Sequence, residues 1–246
     1  MSLSFLKNLH PKNLSPSLPF VFELVRSTRR RSISIEISNA KVMVRAPKFV
    51  AQAEIEKFVH EKSLWVQQKL RQQEQQLSSA PVYSFTPGST MPYLGEPLTL
   101  VVHKQSKADA VRYGDKLLVI LSSRARASEQ AQIKRVVCHW YQQQGYRLLQ
   151  HKTDLAAAQL GVKHTGIALK ATRSKWGHCT AQGAIQYNWQ IMLAPEPVVD
   201  YLVAHEVSHL LHHNHSPAFW AAVEHLCPGH KKYRAWLKTH GASLMF

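Results

Sequence analysis

Hydrophobic and polar residues alternate in several short stretches of the first half of the chain. From residue 33 to residue 37 every second residue is isoleucine, and Val42 and Val44 resume the alternation after Asn39-Ala40. Because successive side chains of a strand point to opposite faces, this pattern predicts a β-hairpin within a β-like stretch from about Phe20 to Arg45. Three more strands are predicted at residues 98–103, 110–113 and 116–121, with a Gly114-Asp115 turn between the last two.

Longer segments carry apolar residues at helical spacing. The segment from Ala51 to about Gln76 contains no glycine or proline and predicts one amphipathic helix. The segment from Ser128 to about Leu160 predicts a longer helix with a break at Gly145. The remaining predicted elements are strands at 165–171 and 184–193 and short helices at 217–226 and 231–238.

A further helix is predicted between the last of these strands and the two short helices. Pro195-Glu196-Pro197 favours a helix start, since proline suits the first helical turn. The helix is predicted to run to about His213, and its residues are apolar nearly all round. Such a helix is expected to be buried.

Bulk composition indicates a soluble, globular protein. Hydrophobic residues make up 45% of the 246 residues, yet no run approaches the roughly 18 apolar residues of a membrane span. The N-terminal segment lacks the uninterrupted apolar stretch of a secretory signal. The cysteines Cys138, Cys179 and Cys227 are too scattered for a disulfide framework. We therefore expect a cytoplasmic protein without a membrane partner.

The formal net charge of +16 favours anionic partners through long-range attraction. The basic residues are spread along the chain, and none of the common nucleic-acid-binding signatures is present. If anionic ligands or nucleic acid bind, we therefore expect them to bind through a general basic surface. No feature of the sequence indicates an oligomeric state.

The strongest chemical signal is the run His205-Glu206-Val207-Ser208-His209. On a helix, residues i and i+4 lie on one face, so His205 and His209 can direct their imidazoles at one metal ion. This is the HExxH pattern of zinc hydrolases, in which the glutamate is a general base and a third ligand arrives from outside the helix. The pattern predicts one zinc ion per chain.

Three residues compete for the position of third ligand. His212 shares a helix face with His205, but the two would lie about 10.5 Å apart along the axis, too far for one ion. His215 can reach the ion if the helix ends near His213 and Asn214 turns the chain in the left-handed conformation. Glu224 is the alternative, since another type of HExxH enzyme uses a downstream carboxylate. We favour His215.

Three protein ligands leave the fourth position of the zinc to water, as in a catalytic rather than a structural site. Zinc lowers the pKa of such a water to about 7 in favourable cases. Glu206 can then take its proton and pass it to the leaving group while the water attacks a carbonyl or phosphoryl group of the substrate.

The residues around this motif resemble the YgjP-type metallopeptidase-like proteins, bacterial relatives of SprT-like proteases. The resemblance covers residues 20–240 and is most specific from 173 to 220. Its most specific runs are KWGHC at 175–179, IQYNWQ at 185–190, DYLVAHEVSH at 200–209 and NHSPAFW at 214–220. It implies a zincin-like domain whose ligands match His205, His209 and His215, with Glu206 catalytic. It also implies that the strand before the active helix carries an extended substrate.

One position departs from the pattern, because His178 stands where the family usually has serine. That substitution places one more histidine near the expected cleft. The candidates for contacts with the substrate or its oxyanion are His178, Arg173, Asn188 and Tyr233, and Lys175 is similarly placed.

Together, pattern and resemblance predict an α+β fold with three regions. Residues 1–19, with three prolines, are expected to form a flexible leader. Residues 20–125 are predicted to be β-rich with one helix at 51–76, and residues 77–90 are a linker candidate. Residues 126–246 are the predicted zincin-like catalytic region. We expect residues 20–246 to form one continuous unit.

Three functions are compatible with the sequence. The favoured hypothesis is a zinc-dependent metallopeptidase acting on a protein or peptide. The second is a metal-dependent hydrolase of a nucleotide or another phosphoanhydride, to which the positive charge would attract anions. The third is a metal-containing binding module that acts on nucleic-acid-associated proteins. Glu206 argues against the third, because a structural metal site needs no general base.

Overall fold

A computed structural model describes residues 18–38, 40–78, 83–172 and 175–245. The chain divides into two compact units, Met1–Ser79 and Ala80–Phe246. The division falls within the linker candidate at residues 77–90. Most of the predicted leader and Arg173 lie outside the described residues.

The first unit contains a three-stranded sheet of β1 (Phe22–Ser27), β2 (Ser34–Ser38) and β3 (Lys41–Pro47). The predicted hairpin is present, since β2 and β3 pair antiparallel, and β1 pairs with the other edge of β3 in parallel. Ala40 has a φ of 56° at the hairpin turn.

Two helices follow where one was predicted, α1 (Gln52–Glu61) and α2 (Ser63–Ser78). The backbone leaves the helical conformation at Lys62, where φ is −95° and ψ is 3°. No glycine or proline marks this break. Buried apolar side chains of α1 and β3 form the core of this unit: Val44, Ala46, Ile55 and Val59.

The second unit begins with a four-stranded sheet whose strands lie in the order β4-β5-β7-β6. These strands are β4 (Thr90–Tyr93), β5 (Glu96–Gln105), β6 (Asp109–Tyr113) and β7 (Lys116–Ser122). Three of them were predicted. The buried face of β7 shares one hydrophobic core with the next helix, α3 (Glu129–Gln159), which is why no boundary lies near residue 125.

Helix α3 begins where predicted, with the Ser128 hydroxyl accepting from the Ala131 N–H, and runs without the predicted break at Gly145. A Cβ on Gly145 would lie 3.1 Å from Cγ of Met192. The glycine therefore permits close packing rather than ending the helix.

A second sheet has the strand order β8-β10-β9, with β8 (Gly166–Lys170), β9 (Gly177–Cys179) and β10 (Ala184–Asn188). Strand β10 is parallel to β8 and antiparallel to β9. The strand predicted to reach residue 193 stops at Asn188, where a 3-10 helix, Trp189–Leu193, begins. Strand β9 was not predicted.

The C-terminal part is helical, with α4 (Glu196–Ser208), α5 (Pro217–Leu226), α6 (His230–His240) and a 3-10 turn at Gly241–Leu244. Helix α4 is buried nearly all round, as predicted. It ends at Ser208, earlier than the predicted His213. No helix in the described part of the chain is long and apolar enough to cross a bilayer. The mixed α+β class is confirmed.

Candidate metal centre

Three imidazoles converge at the end of α4. His205 lies in the last turn of the helix, His209 is its C-terminal cap, and His215 comes from the loop before α5. One ligand nitrogen from each lies within 4.8 Å of the others. The Nε2 atoms of His205 and His215 are 3.2 Å apart.

This arrangement fits a zinc ion. Zinc lies about 2.0–2.1 Å from imidazole nitrogens, so tetrahedral coordination places two of them about 3.3 Å apart. The 3.2 Å separation of His205 and His215 agrees with that geometry. Burial, and then the neighbouring His209 and His215, lower the pKa of His205 to about 3. The ring is therefore neutral near pH 7, with a lone pair available to a metal.

The turn after α4 orients the second histidine. His209 Nδ1 donates to the backbone carbonyl of His212 at 3.1 Å. This hydrogen bond places the proton on Nδ1 and leaves the Nε2 lone pair free for a ligand. His212 thus contributes its carbonyl group, while its imidazole is not part of the cluster.

His215 reaches the cluster by a different route from the one predicted. Among the described non-glycine residues only Ala40 and Leu94 have positive φ, so the predicted left-handed Asn214 is wrong. The chain turns earlier instead. Both Leu211 and His212 donate their N–H groups to the carbonyl of Ser208, at 3.2 Å and 3.0 Å.

An aromatic floor supports the three imidazoles. Ser216 caps α5 by accepting from the Phe219 N–H at 3.3 Å, which fixes the first turn of that helix. The fully buried Phe219 ring lies 5.0 Å from His205, 4.6 Å from His209 and 4.8 Å from His215, centroid to centroid. The helix start therefore orients all three rings.

Helix α4 is anchored at its other end by Lys152 of α3. Its ammonium group contacts Glu196 at 2.8 Å and Asp200 at 2.6 Å. Burial alone would lower the pKa of Lys152, but the two carboxylates raise it above its ordinary value. The contact links the N-terminal half of α4 to α3 and so fixes the helix that carries His205.

Glu206 is only 4% exposed and lies against β9. Burial raises the pKa of its carboxyl group to about 8, and the Lys175 charge opposes this shift. A divalent cation bound nearby would favour the ionised carboxylate. The glycine at position 177 leaves the space that the Glu206 carboxylate occupies.

The other predicted site residues lie in different places. His178 is exposed on β9, and its charge contributes to lowering the pKa of His209, after burial and the other histidines. Asn188 is buried, and its amide donates to the Thr172 carbonyl at 2.9 Å. Tyr233 lines a separate cavity of about 360 Å³ with Asp200. Arg173 lies outside the described residues.

The alternative third ligand, Glu224, is engaged elsewhere. Its carboxylate accepts from the Gly229 N–H at 3.2 Å and contacts Nδ1 of His230. It is not part of the histidine cluster.

An aromatic and cationic wall beside the site was missed from the sequence. The Trp220 ring stacks on His215 at 5.7 Å and on His230 at 5.3 Å. The guanidinium of Arg234 lies 4.5 Å from the centre of the Trp220 ring, and its charge contributes to the low pKa of His205. The one feature of the sequence that pointed to this wall is the i, i+4 spacing of His230 and Arg234, which places them on one face of a helix.

A family profile described as YgjP-like, metallopeptidase domain, matches residues 31–240. The chain belongs to the YgjP-like metallopeptidase family. The resemblance in the sequence is confirmed. Membership in this family indicates a metal-dependent hydrolase of proteins or peptides.

One solved structure similar to this YgjP-like chain is the metallopeptidase zymogen of Pyrococcus abyssi abylysin. The two are 22% identical with a TM-score of 0.35, over 37% of this chain and 92% of that one. No curated protein matches the chain.

Proposed function

We propose that this YgjP-like protein is a zinc-dependent metallopeptidase. In this proposal His205, His209 and His215 hold one zinc ion, and Glu206 is the general base. The observation that carries it is the convergence of three imidazole nitrogens within 4.8 Å, together with the buried Glu206 next to His205 on α4.

Zinc bound there would supply a Lewis acid that acidifies a water molecule and polarises the substrate carbonyl. Glu206 accepts a proton from the attacking water on its carboxylate and delivers it to the leaving amide nitrogen. Because Glu206 lies next to His205 on α4, the base and the ligands are held by one rigid element. The Phe219 ring packs against His205 and His209 and limits the movement of these proposed ligands.

Strand β10, which precedes α4 and was expected to carry the substrate, lies between β8 and β9 in its sheet. The proposed substrate is therefore an extended peptide that lies along β9. This strand is at the edge of its sheet, and no other described strand pairs with its outer side. Edge strands offer unpaired backbone groups, to which a peptide can add as a further strand. Because Gly177 of β9 lies against Glu206, a peptide bound there would pass close to the proposed general base.

The test compares wild type with Glu206→Gln, both purified without chelators. We expect one zinc per chain in both proteins, because glutamine leaves the three imidazoles unchanged. Peptidase activity on an unfolded protein and on short peptides should fall by a factor of about 10²–10⁴, the usual contribution of a general base.

Glu224→Gln is the matched control, since Glu224 contacts His230 rather than the cluster, and it should keep its activity. Unchanged activity in Glu206→Gln would refute the assignment of the base. Hydrolysis of nucleoside triphosphates without peptide cleavage would favour the phosphoanhydride hypothesis instead.

A further inference from the structure

The backbone conformation at residue 177 does not require a glycine. Turn glycines such as Gly114 and Gly183 have φ values of 59° and 79°, which other residues rarely adopt. Gly177 has no such φ and pairs regularly with Tyr187 in the sheet. An alanine would therefore meet no backbone penalty at this position.

The side chain that faces Gly177 is what requires a glycine there. A Cβ built on this residue would overlap Oε1, Cδ and Cγ of Glu206, and these are its three nearest atoms. The carboxylate thus fills the volume that any side chain at position 177 would need. Glu206 cannot easily withdraw, because it is 4% exposed and Val203 and Val207 beside it on α4 are buried.

Strand β9 cannot easily withdraw either. The carbonyl of Trp176 accepts from the Asn188 N–H at 2.7 Å. On the other face of this segment, a Cβ on Gly241 would lie 2.9 Å from Nε1 of Trp176, so the C-terminal turn packs closely there. Tyr187, which pairs with Gly177, is fully buried and contacts the Thr153 hydroxyl at 2.9 Å.

From these contacts we infer that Gly177 is a positioning residue for Glu206. The missing side chain forms the recess that holds the carboxylate in place beside the histidine cluster. This inference rests on the proposed function for its catalytic consequence, whereas the contact itself can be tested without activity.

The first experiment is a double-mutant cycle on thermal stability. Gly177→Ala should lower Tm by several degrees in wild type, because two packed groups compete for one volume. In the Glu206→Ala background the same substitution should cost little, since the overlapping atoms are gone. Non-additivity of this kind identifies residues in direct contact.

Gly145→Ala is the matched control. It meets Met192 in the core of the unit, so its effect on Tm should be the same in both backgrounds. Equal destabilisation by Gly177→Ala in both backgrounds would overturn the inference, as would an unchanged Tm in wild type.

The second experiment measures zinc content and peptidase kinetics of Gly177→Ala. The zinc content should match wild type, because the ligands are not displaced. The kcat should fall about 100-fold with little change in KM, since a shift of about 1 Å at a catalytic group has that effect. A kcat equal to that of wild type would overturn the inference. An inactive wild type would instead refute the proposed function and leave the stability cycle decisive for Gly177.

Discussion

At the scale of single residues, the histidine cluster combines two ligands placed by a regular helix with one placed by an irregular turn. The i, i+4 spacing of His205 and His209 follows from helix geometry and is visible in the sequence. The position of His215 depends on how the chain turns after Ser208, which the sequence does not specify. From the sequence, the short distance that one zinc ion can bridge between its ligands favoured His215 over His212. The conformation of the turn before His215 was predicted wrongly.

Substitution of the two competing histidines separates their roles. His215→Ala should weaken zinc binding by more than the roughly 10–100-fold typical of losing an outer-shell partner, because it removes a proposed ligand. His212→Ala should retain zinc, since the His209 Nδ1–H bonds to the backbone carbonyl of residue 212 and not to its ring. Competition titration with a zinc-binding dye measures both affinities. The reverse order of affinities would contradict the proposed ligand set.

At the scale of elements, segments with a clear periodicity were predictable in place, although the break at Lys62 between α1 and α2 was not. Helices α3 and α5 and strands β5 to β7 lie close to their predicted bounds, because each carries a recognisable alternation or helical spacing. Strand β9 has only three residues, Gly177–Cys179, too few for an alternation to be recognised. Its existence depends on pairing with β10, a tertiary contact.

The hydrogen bonds after β10 favour a structural role for Asn188, which the sequence suggested as a candidate for substrate contact. Its backbone N–H donates to Trp176 and its side-chain amide to Thr172, while its Oδ1 accepts from the Gln190 N–H at 3.1 Å. The residue therefore connects the segment before β9 with the start of the 3-10 helix. A polar residue within a family-like motif can have a structural role when its hydrogen bonds are satisfied within the protein.

This interpretation makes a prediction for Asn188→Ala. Loss of the amide would leave the part-buried Thr172 carbonyl and the buried Gln190 N–H without these partners, which costs about 1–3 kcal/mol. We expect Tm to fall by about 2–12 °C for a unit of this size, with zinc retained. Differential scanning calorimetry and zinc analysis measure the two effects. An unchanged Tm together with a reduced kcat would instead support a direct contact with substrate.

At the scale of the whole molecule, the sequence predicted the mixed α+β class, and the contacts divide the chain within the linker candidate at residues 77–90. The β-rich composition continues past residue 79, so composition alone suggested one region up to residue 125. Side chains of β7 and α3 nevertheless share a core, with Leu117 and Ile133 fully buried in it. Which strands share a core with which helix is a tertiary property, and alternation within each strand does not reveal it.

The net charge of +16 is also a property of the whole molecule, and some of it lies at the proposed active site. Lys175 is close enough to oppose the raised pKa of Glu206, and Arg234 lies on the Trp220 wall. Among the described residues, no carboxylate pairs with Arg234. Both the overall charge and these two cations should attract acidic substrates.

We therefore expect acidic peptides to be cleaved with a higher kcat/KM than neutral peptides of the same length at low ionic strength. The difference should shrink as salt is added, because the Debye length falls from about 30 Å at 0.01 M to about 3 Å at 1 M. Arg234→Gln should reduce the preference by up to about fivefold, the range of one exposed ion pair. Lys238→Gln, one turn further along α6, removes the same net charge away from Trp220 and should have a smaller effect. Equal losses in the two variants would mean that only the overall charge acts, and a preference insensitive to salt would exclude electrostatic attraction as its cause.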